Sequence, residues 1–115
     1  MSYIRTKNGV YEVIKNKLGE CIKIDGGFVI LEDVRLIEQN IRESDNLTEL
    51  CDEFVYYNPK TQIEKYRYEY YHNLSEKDHD LKWLKEGKII YGAIWTLKGL
   101  IFVAKMNEKG ELVLI

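Results

Sequence analysis

The residue types best suited to chemistry are few in this chain. It holds two cysteines, Cys21 and Cys51, and two histidines, His72 and His79. Cys51 falls in the apolar series Leu47, Leu50, Cys51, Phe54 and Val55, spaced i, i+3, i+4, i+7 and i+8, which is one face of a helix. A thiol packed into such a face is an inert core group, because only a thiolate attacks. Cys21 alternates away from Ile22 and Ile24. It is expected to be exposed, and no histidine lies near it in sequence. Both thiols are expected to be free in a reducing compartment. His72 and His79, with Asp78 and Asp80, include metal-ligand types, but a gap spanning a turn and a helix start matches no ligand spacing. Asp78 and Asp80 read instead as a solvated helix N-terminus whose charge complements the dipole. No metal and no cofactor is expected.

Other groupings fare no better as catalytic sites. Asp25-Gly26-Gly27 lacks the following helix that a phosphate cradle requires, so it reads as a turn. Asp52 and Glu53 are adjacent, and adjacent helical side chains diverge, so they read as a solvated face. The run Lys65-Tyr66-Arg67-Tyr68-Glu69-Tyr70 alternates aromatic and charged residues, a strand with one wet face. Tyr66, Tyr68 and Tyr70 share one side of that strand and Arg67, Glu69 and Tyr71 the other. The tyrosines could stack single-stranded bases, form a protein-binding surface or simply roof the core. Six tyrosines between Tyr56 and Tyr71 exceed what the core needs. Arg67 and Tyr71, with Tyr57, are therefore the candidate binding residues.

The elements that must position these residues follow from turn chemistry and periodicity. Asn8-Gly9 predicts a two-residue hairpin turn pairing Lys7 with Val10, Arg5 with Glu12 and Ile4 with Val13. A second hairpin about Asp25-Gly26-Gly27 joins Glu20–Ile24 to Phe28–Leu31. Glu32 to Ser44 fits a helix through Val34, Ile37 and Ile41, and fits a strand by its β-branched content. A helix over Leu47–Val55 starts at Asn46, with Glu49 in a capping box, and ends at Asn58-Pro59. A strand covers Gln62 to His72, and a shallow surface helix runs from Ser75 to Glu86, stopped by Gly87. The C-terminus predicts a three-stranded meander of Ile89–Thr96, Leu100–Met106 and Glu111–Ile115. Its loops are Leu97-Lys98-Gly99 and Glu108-Lys109-Gly110. That register pairs Ile94 with Phe102 and Ala104 with Leu114 on one face, and Trp95 with Ile101 and Ala93 with Val103 on the other. Both faces are apolar, so the middle strand should be covered by the Leu47–Val55 helix on one side and the N-terminal hairpins on the other. The fold class is α+β: a curled antiparallel sheet built of hairpins with a C-terminal three-stranded meander, plus two helices.

Size and charge set the remaining bounds. The 115 residues make a single domain, 1–115, large enough to bury a core without metal or disulfide. Seventeen Lys and Arg against nineteen Asp and Glu leave a net charge of −2, which is poor material for neutralising phosphates, so no duplex nucleic acid is expected. The apolar runs are short, so no membrane partner is expected. Met1 to Thr6 lacks a basic region followed by an apolar stretch, which makes the cytoplasm the expected location.

The run from Ile90-Tyr91-Gly92-Ala93-Ile94-Trp95-Thr96 through Lys98-Gly99-Leu100-Ile101-Phe102-Val103-Ala104-Lys105-Met106 to Leu112 resembles the ending of small proteins encoded by phages and prophages of low-GC Gram-positive bacteria. Leu50-Cys51-Asp52-Glu53-Phe54-Val55 and the opening from Ile4 to Val13 look like the same group. The resemblance implies a phage protein working in a bacterial host cytoplasm, and it carries no catalytic residues. The resulting expectation is a non-enzymatic phage-type accessory protein that binds a host or phage protein. The alternative is a small-molecule or nucleotide binding or sequestering protein, with an enzyme third. A homo-oligomer stays open.

Overall fold

A computed structural model describes residues 1–38, 40–66 and 76–115. The fold is α+β and mainly antiparallel, as expected, with the hairpins divided between two five-stranded sheets. In the first sheet, β1 (Ser2–Thr6), β2 (Gly9–Asn16), β3 (Gly19–Ile24) and β4 (Gly27–Ile30) follow one another as hairpins. The short β5 (Arg42–Ser44) joins beside β1, giving the order β4-β3-β2-β1-β5. The second sheet contains β6 (Glu53–Asn58), β7 (Ile63–Tyr66), β8 (Ile89–Thr96), β9 (Gly99–Met106) and β10 (Leu112–Leu114), in the order β10-β9-β8-β6-β7. Three helices, α1 (Leu31–Ile37), α2 (Leu47–Leu50) and α3 (Glu76–Lys85), complete the described residues.

A shared side-chain clamp sets two of the hairpin registers. Thr6 Oγ1 accepts from the Asn8 N–H at 3.1 Å and donates to the Gly9 carbonyl at 3.2 Å. The turn is therefore Lys7-Asn8, closed by Thr6 and Gly9, and Arg5 faces Val10 rather than Glu12. The partner moves by two positions, so each side chain keeps its face. Thr96 repeats the clamp, accepting from the Lys98 N–H at 3.1 Å and donating to the Gly99 carbonyl at 3.0 Å. That loop is Leu97-Lys98 and one residue shorter than expected, so Ile94 pairs with Ile101 and Trp95 with Leu100. An irregularity between Gly92 and Ala93 restores the longer register, and Gly92 lies opposite Ala104. Between β9 and β10 the expected pair, Ala104 with Leu114, is present. The expected hairpin about Asp25-Gly26-Gly27 is present, but its turn is Asp25-Gly26 with Ile24 opposite Gly27, and Leu31 begins α1 instead of ending the strand.

The expected helix over Leu47–Val55 is mostly absent. Asn46 does cap a helix, accepting from the Thr48 N–H at 3.0 Å, but α2 ends at Leu50 and Cys51 is already extended. Phe54 and Val55 then alternate across β6. This strand lies between two others in its sheet and carries the β-branched and aromatic run Phe54-Val55-Tyr56-Tyr57, which suits a pleated surface. The segment Glu32–Ser44 divides between α1 and β5, so both of its readings hold in part. Gly87, at φ +82°, stops α3 as expected. Its N–H donates to the Leu84 carbonyl and that of Lys88 to the Trp83 carbonyl, both at 3.1 Å, a bonding pattern that favours glycine at the left-handed position.

The core has three parts. Tyr3 and Val10 of the first sheet meet Leu47 and Leu50 of α2 over Ile94, Val103 and Ala104 of the second. The N-terminal hairpin and α2 thus share one face of the meander, instead of taking opposite faces. Further along that same face, Trp83 and Leu84 of α3 pack on Tyr56, Ile90 and Met106. On the first sheet, α1 supplies Leu31 and Val34 to Ile4 and Ile22. Among the described residues, nothing comparable packs on the second sheet's other face. No described helix is long and apolar enough to cross a membrane.

Candidate functional site

That second face carries an aromatic platform. Strand alternation and the observed pairing place Val55 and Tyr57 of β6, Tyr91 and Trp95 of β8, Leu100 and Phe102 of β9 and Val113 of β10 on one side. The Tyr91 and Phe102 rings stack with centroids 4.8 Å apart and planes 15° apart. Trp95 is 54% exposed, Val113 51% and Phe102 37%. Charged side chains sit at the margins: Glu53 and Glu64 on one flank and Lys105 on the other. Trp95 Nε1 donates to Glu53 Oε1 at 3.5 Å.

The platform's corner is held by an ion pair between the sheets. Asp52 Oδ2 accepts the Trp95 backbone N–H at 2.7 Å. The same carboxylate accepts two bonds from Arg5, at 2.9 and 2.5 Å. The Asp52 N–H donates to the Ala93 carbonyl at 2.8 Å. Asp52 is therefore a structural clasp, and the expectation of a solvated helical face is corrected. Outside a helix, nothing turns it away from Arg5.

The candidate residues read from sequence separate. Tyr57 is half-buried on the platform face of β6. Arg67 and Tyr71 lie outside the described residues, as do His72, Ser75 and the part of the expected strand that follows Tyr66. Tyr56 is no surplus tyrosine: it is fully buried, with its ring edge-on to Trp83 at 5.4 Å. Its hydroxyl donates to Asp80 Oδ1 at 2.8 Å. Asp80 is 3% exposed, which corrects the reading of it as solvated: it faces inward from α3 because a buried hydroxyl meets it there.

Both cysteines are free. Cys21 is buried, not exposed, because Ile14 and Ile30 flank it on the neighbouring strands. Cys51 caps α2 and packs against the first core cluster. Burial, and then the Asp52 charge, push its thiol up to about 11, against a smaller opposing effect of Arg5. A thiol held in that form is a poor nucleophile. Among the described residues, no three His, Cys, Asp or Glu side chains gather as a metal site.

The apolar alternation of β8 and β9 was visible in the sequence but pointed to burial on both faces. Alternation alone does not distinguish a face that meets the core from one that leaves Trp95, Phe102 and Val113 exposed. No protein-family model, curated protein or solved structure matches the chain.

Proposed function

We propose that this is a non-enzymatic binding protein whose aromatic platform docks a protein partner, a host or phage protein in the setting implied by the phage resemblance. The observation that carries this reading is the exposure of Trp95, Phe102 and Val113 on one sheet face, beside the stacked Tyr91. Large exposed apolar groups gathered on one face mark interaction sites, and aromatic anchors dominate protein-binding energy. Three carboxylate or ammonium groups at the rim, Glu53, Glu64 and Lys105, suit a protein partner better than a phosphate backbone, which calls for a cationic row. Tyr57 remains in the proposed surface, extending it along β6.

The test compares capture by the native chain with capture by a Trp95→Ala/Phe102→Ala double variant and a Leu36→Ala control. Leu36 is an exposed apolar residue on α1 of the other sheet. A partner held by the native chain and the control, but lost from the double variant with an unchanged melting curve, supports the platform. Identical capture by all three would refute it.

A further inference from the structure

We infer that the cleft beside β5, lined by Arg5, Lys7, Arg42, Trp95 and Leu97, binds a small phosphorylated ligand with a planar ring, the chemistry of a mononucleotide. The cleft has a volume of about 460 Å³, within the range of small-molecule sites.

Arg5 and Arg42 are paired directly across β1 and β5. Residues so placed have Cβ atoms about 4.5–5.5 Å apart, and like charges there destabilise the pairing. Lys7, in the adjoining turn, lines the same cleft. The nearby carboxylates are largely engaged. Asp52 is taken by Arg5, and Glu43 by Arg35. Glu38 accepts the Lys7 backbone N–H at 3.3 Å. Among the described residues, neither Lys7 nor Arg42 has an ion-pair partner. Two uncommitted cations, backed by a third that is already paired, thus face one opening in a chain of net charge −2.

Ligand chemistry follows from these groups. A phosphomonoester brings two negative charges to two cations, whereas a carboxylate brings one. The guanidinium of Arg42 offers the planar fork that phosphate accepts, and Lys7 supplies a point charge. Arg5 already spends its donors on Asp52, Leu50 and Trp95, so it contributes field rather than contact. Trp95 and Leu97 supply an apolar wall, and the exposed indole is a stacking surface for a planar ring. The site does not depend on a protein partner. It rests on the β1–β5 pairing and not on Phe102 or Tyr91.

The test uses the full chain labelled with nitrogen-15 in low-salt buffer. It is titrated separately with adenosine monophosphate, adenosine and inorganic phosphate. The two tryptophans give two indole signals. The monophosphate should move the Trp95 signal and leave that of Trp83 in place. Adenosine and phosphate should each bind at least about tenfold more weakly, because each supplies half of the contacts. A Lys7→Ala/Arg42→Ala variant with an unchanged melting curve should lose about tenfold or more in affinity. Absence of a Trp95 shift at about 5 mM ligand, weaker than any useful affinity, overturns the proposal. Undiminished binding by the double variant overturns it too. Phosphate binding as tightly as the monophosphate overturns the role of the ring and leaves a simple anion site. In a Phe102→Ala variant, which leaves Trp95 in place, loss of protein capture without loss of monophosphate binding separates the platform from the cleft.

Discussion

Arg5 grips Asp52 through both carboxylate oxygens, and the pair bridges β1 of one sheet to the entry of β6 in the other. Both side chains are roughly three-quarters covered, so the pair is better shielded than an ordinary surface ion pair. The Trp95 backbone N–H depends on the same carboxylate. Asp52→Ala removes three acceptor contacts at once and should cost about 1–3 kcal/mol in urea unfolding. Asp52→Asn keeps an acceptor and should cost less. Arg5→Lys should fail to restore stability, because an ammonium cannot hold both oxygens in a planar fork. A loss below about 0.5 kcal/mol for Asp52→Ala would show that the clasp contributes nothing measurable.

Gly92 sits where a side chain has no room. A Cβ built there would lie 2.7 Å from Cys51 Sγ and 3.1 Å from Leu112 Cδ1. Gly92→Ala should destabilise the protein by about 1–3 kcal/mol through overpacking. Cys51→Ala alone removes packing volume and should also destabilise. Combined, the two should cost less than their sum, because the alanine methyl occupies the space vacated by sulfur. Additive melting-temperature losses would mean that Gly92 and Cys51 do not crowd one another.

Ionisation of Cys51 sets an alkaline limit. Its folded value of about 11 exceeds the ordinary thiol value of 9.0, so the folded chain holds the proton more tightly than the unfolded one. Stability is therefore fully present below about pH 9 and falls as pH rises toward about 11. Tyr3 acts in the same direction, raised first by burial and then by the Glu12 charge. Urea midpoints measured at about pH 8 and pH 10.5 should decline in the native chain and decline less in Cys51→Ala. Equal declines would place the alkaline sensitivity elsewhere. Alkylation of Cys51 in the folded protein should likewise be slow near neutral pH.

Several misreadings in the sequence have one physical origin. Leu47, Leu50, Cys51, Phe54 and Val55 fit a helical stripe because β6 is apolar on both faces. A strand of that kind reads as a continuous run without alternation. The β-branched and aromatic content of Phe54-Val55-Tyr56-Tyr57 was the signal that favoured a strand. Hairpins were legible at their positions, since Gly9, Gly26, Gly99 and Gly110 all lie at turns. Their registers were less so. The clamp of Thr6 and Thr96 is a side-chain bond to a glycine carbonyl across the turn, and glycine position alone does not reveal it. The aromatic platform was illegible for a further reason. Tyr91, Trp95 and Phe102 come from two strands, and the register set by the two-residue Leu97-Lys98 turn, with Ala93 opposite Phe102, places Phe102 on the face that carries Tyr91.

The buried bond from Tyr56 to Asp80 carries the last prediction. Tyr56 is fully covered and Asp80 nearly so, and the 2.8 Å bond joins the middle of β6 to α3. A carboxylate at that depth is costly unless donors satisfy it. Tyr56→Phe keeps the ring, its shape and its edge contact with Trp83, and deletes only the donor. The loss should be about 1.5–3 kcal/mol, the range for a hydrogen bond to a charged group. Asp80→Asn retains an acceptor for the hydroxyl and should be milder than Tyr56→Phe. Because α3 packs on β6 and β8 through Trp83 and Leu84, hydrogen exchange should show the loss first as faster exchange in α3, with the first sheet unaffected. If Tyr56→Phe unfolds at the native urea midpoint and α3 exchanges as before, the hydroxyl contributes no stability.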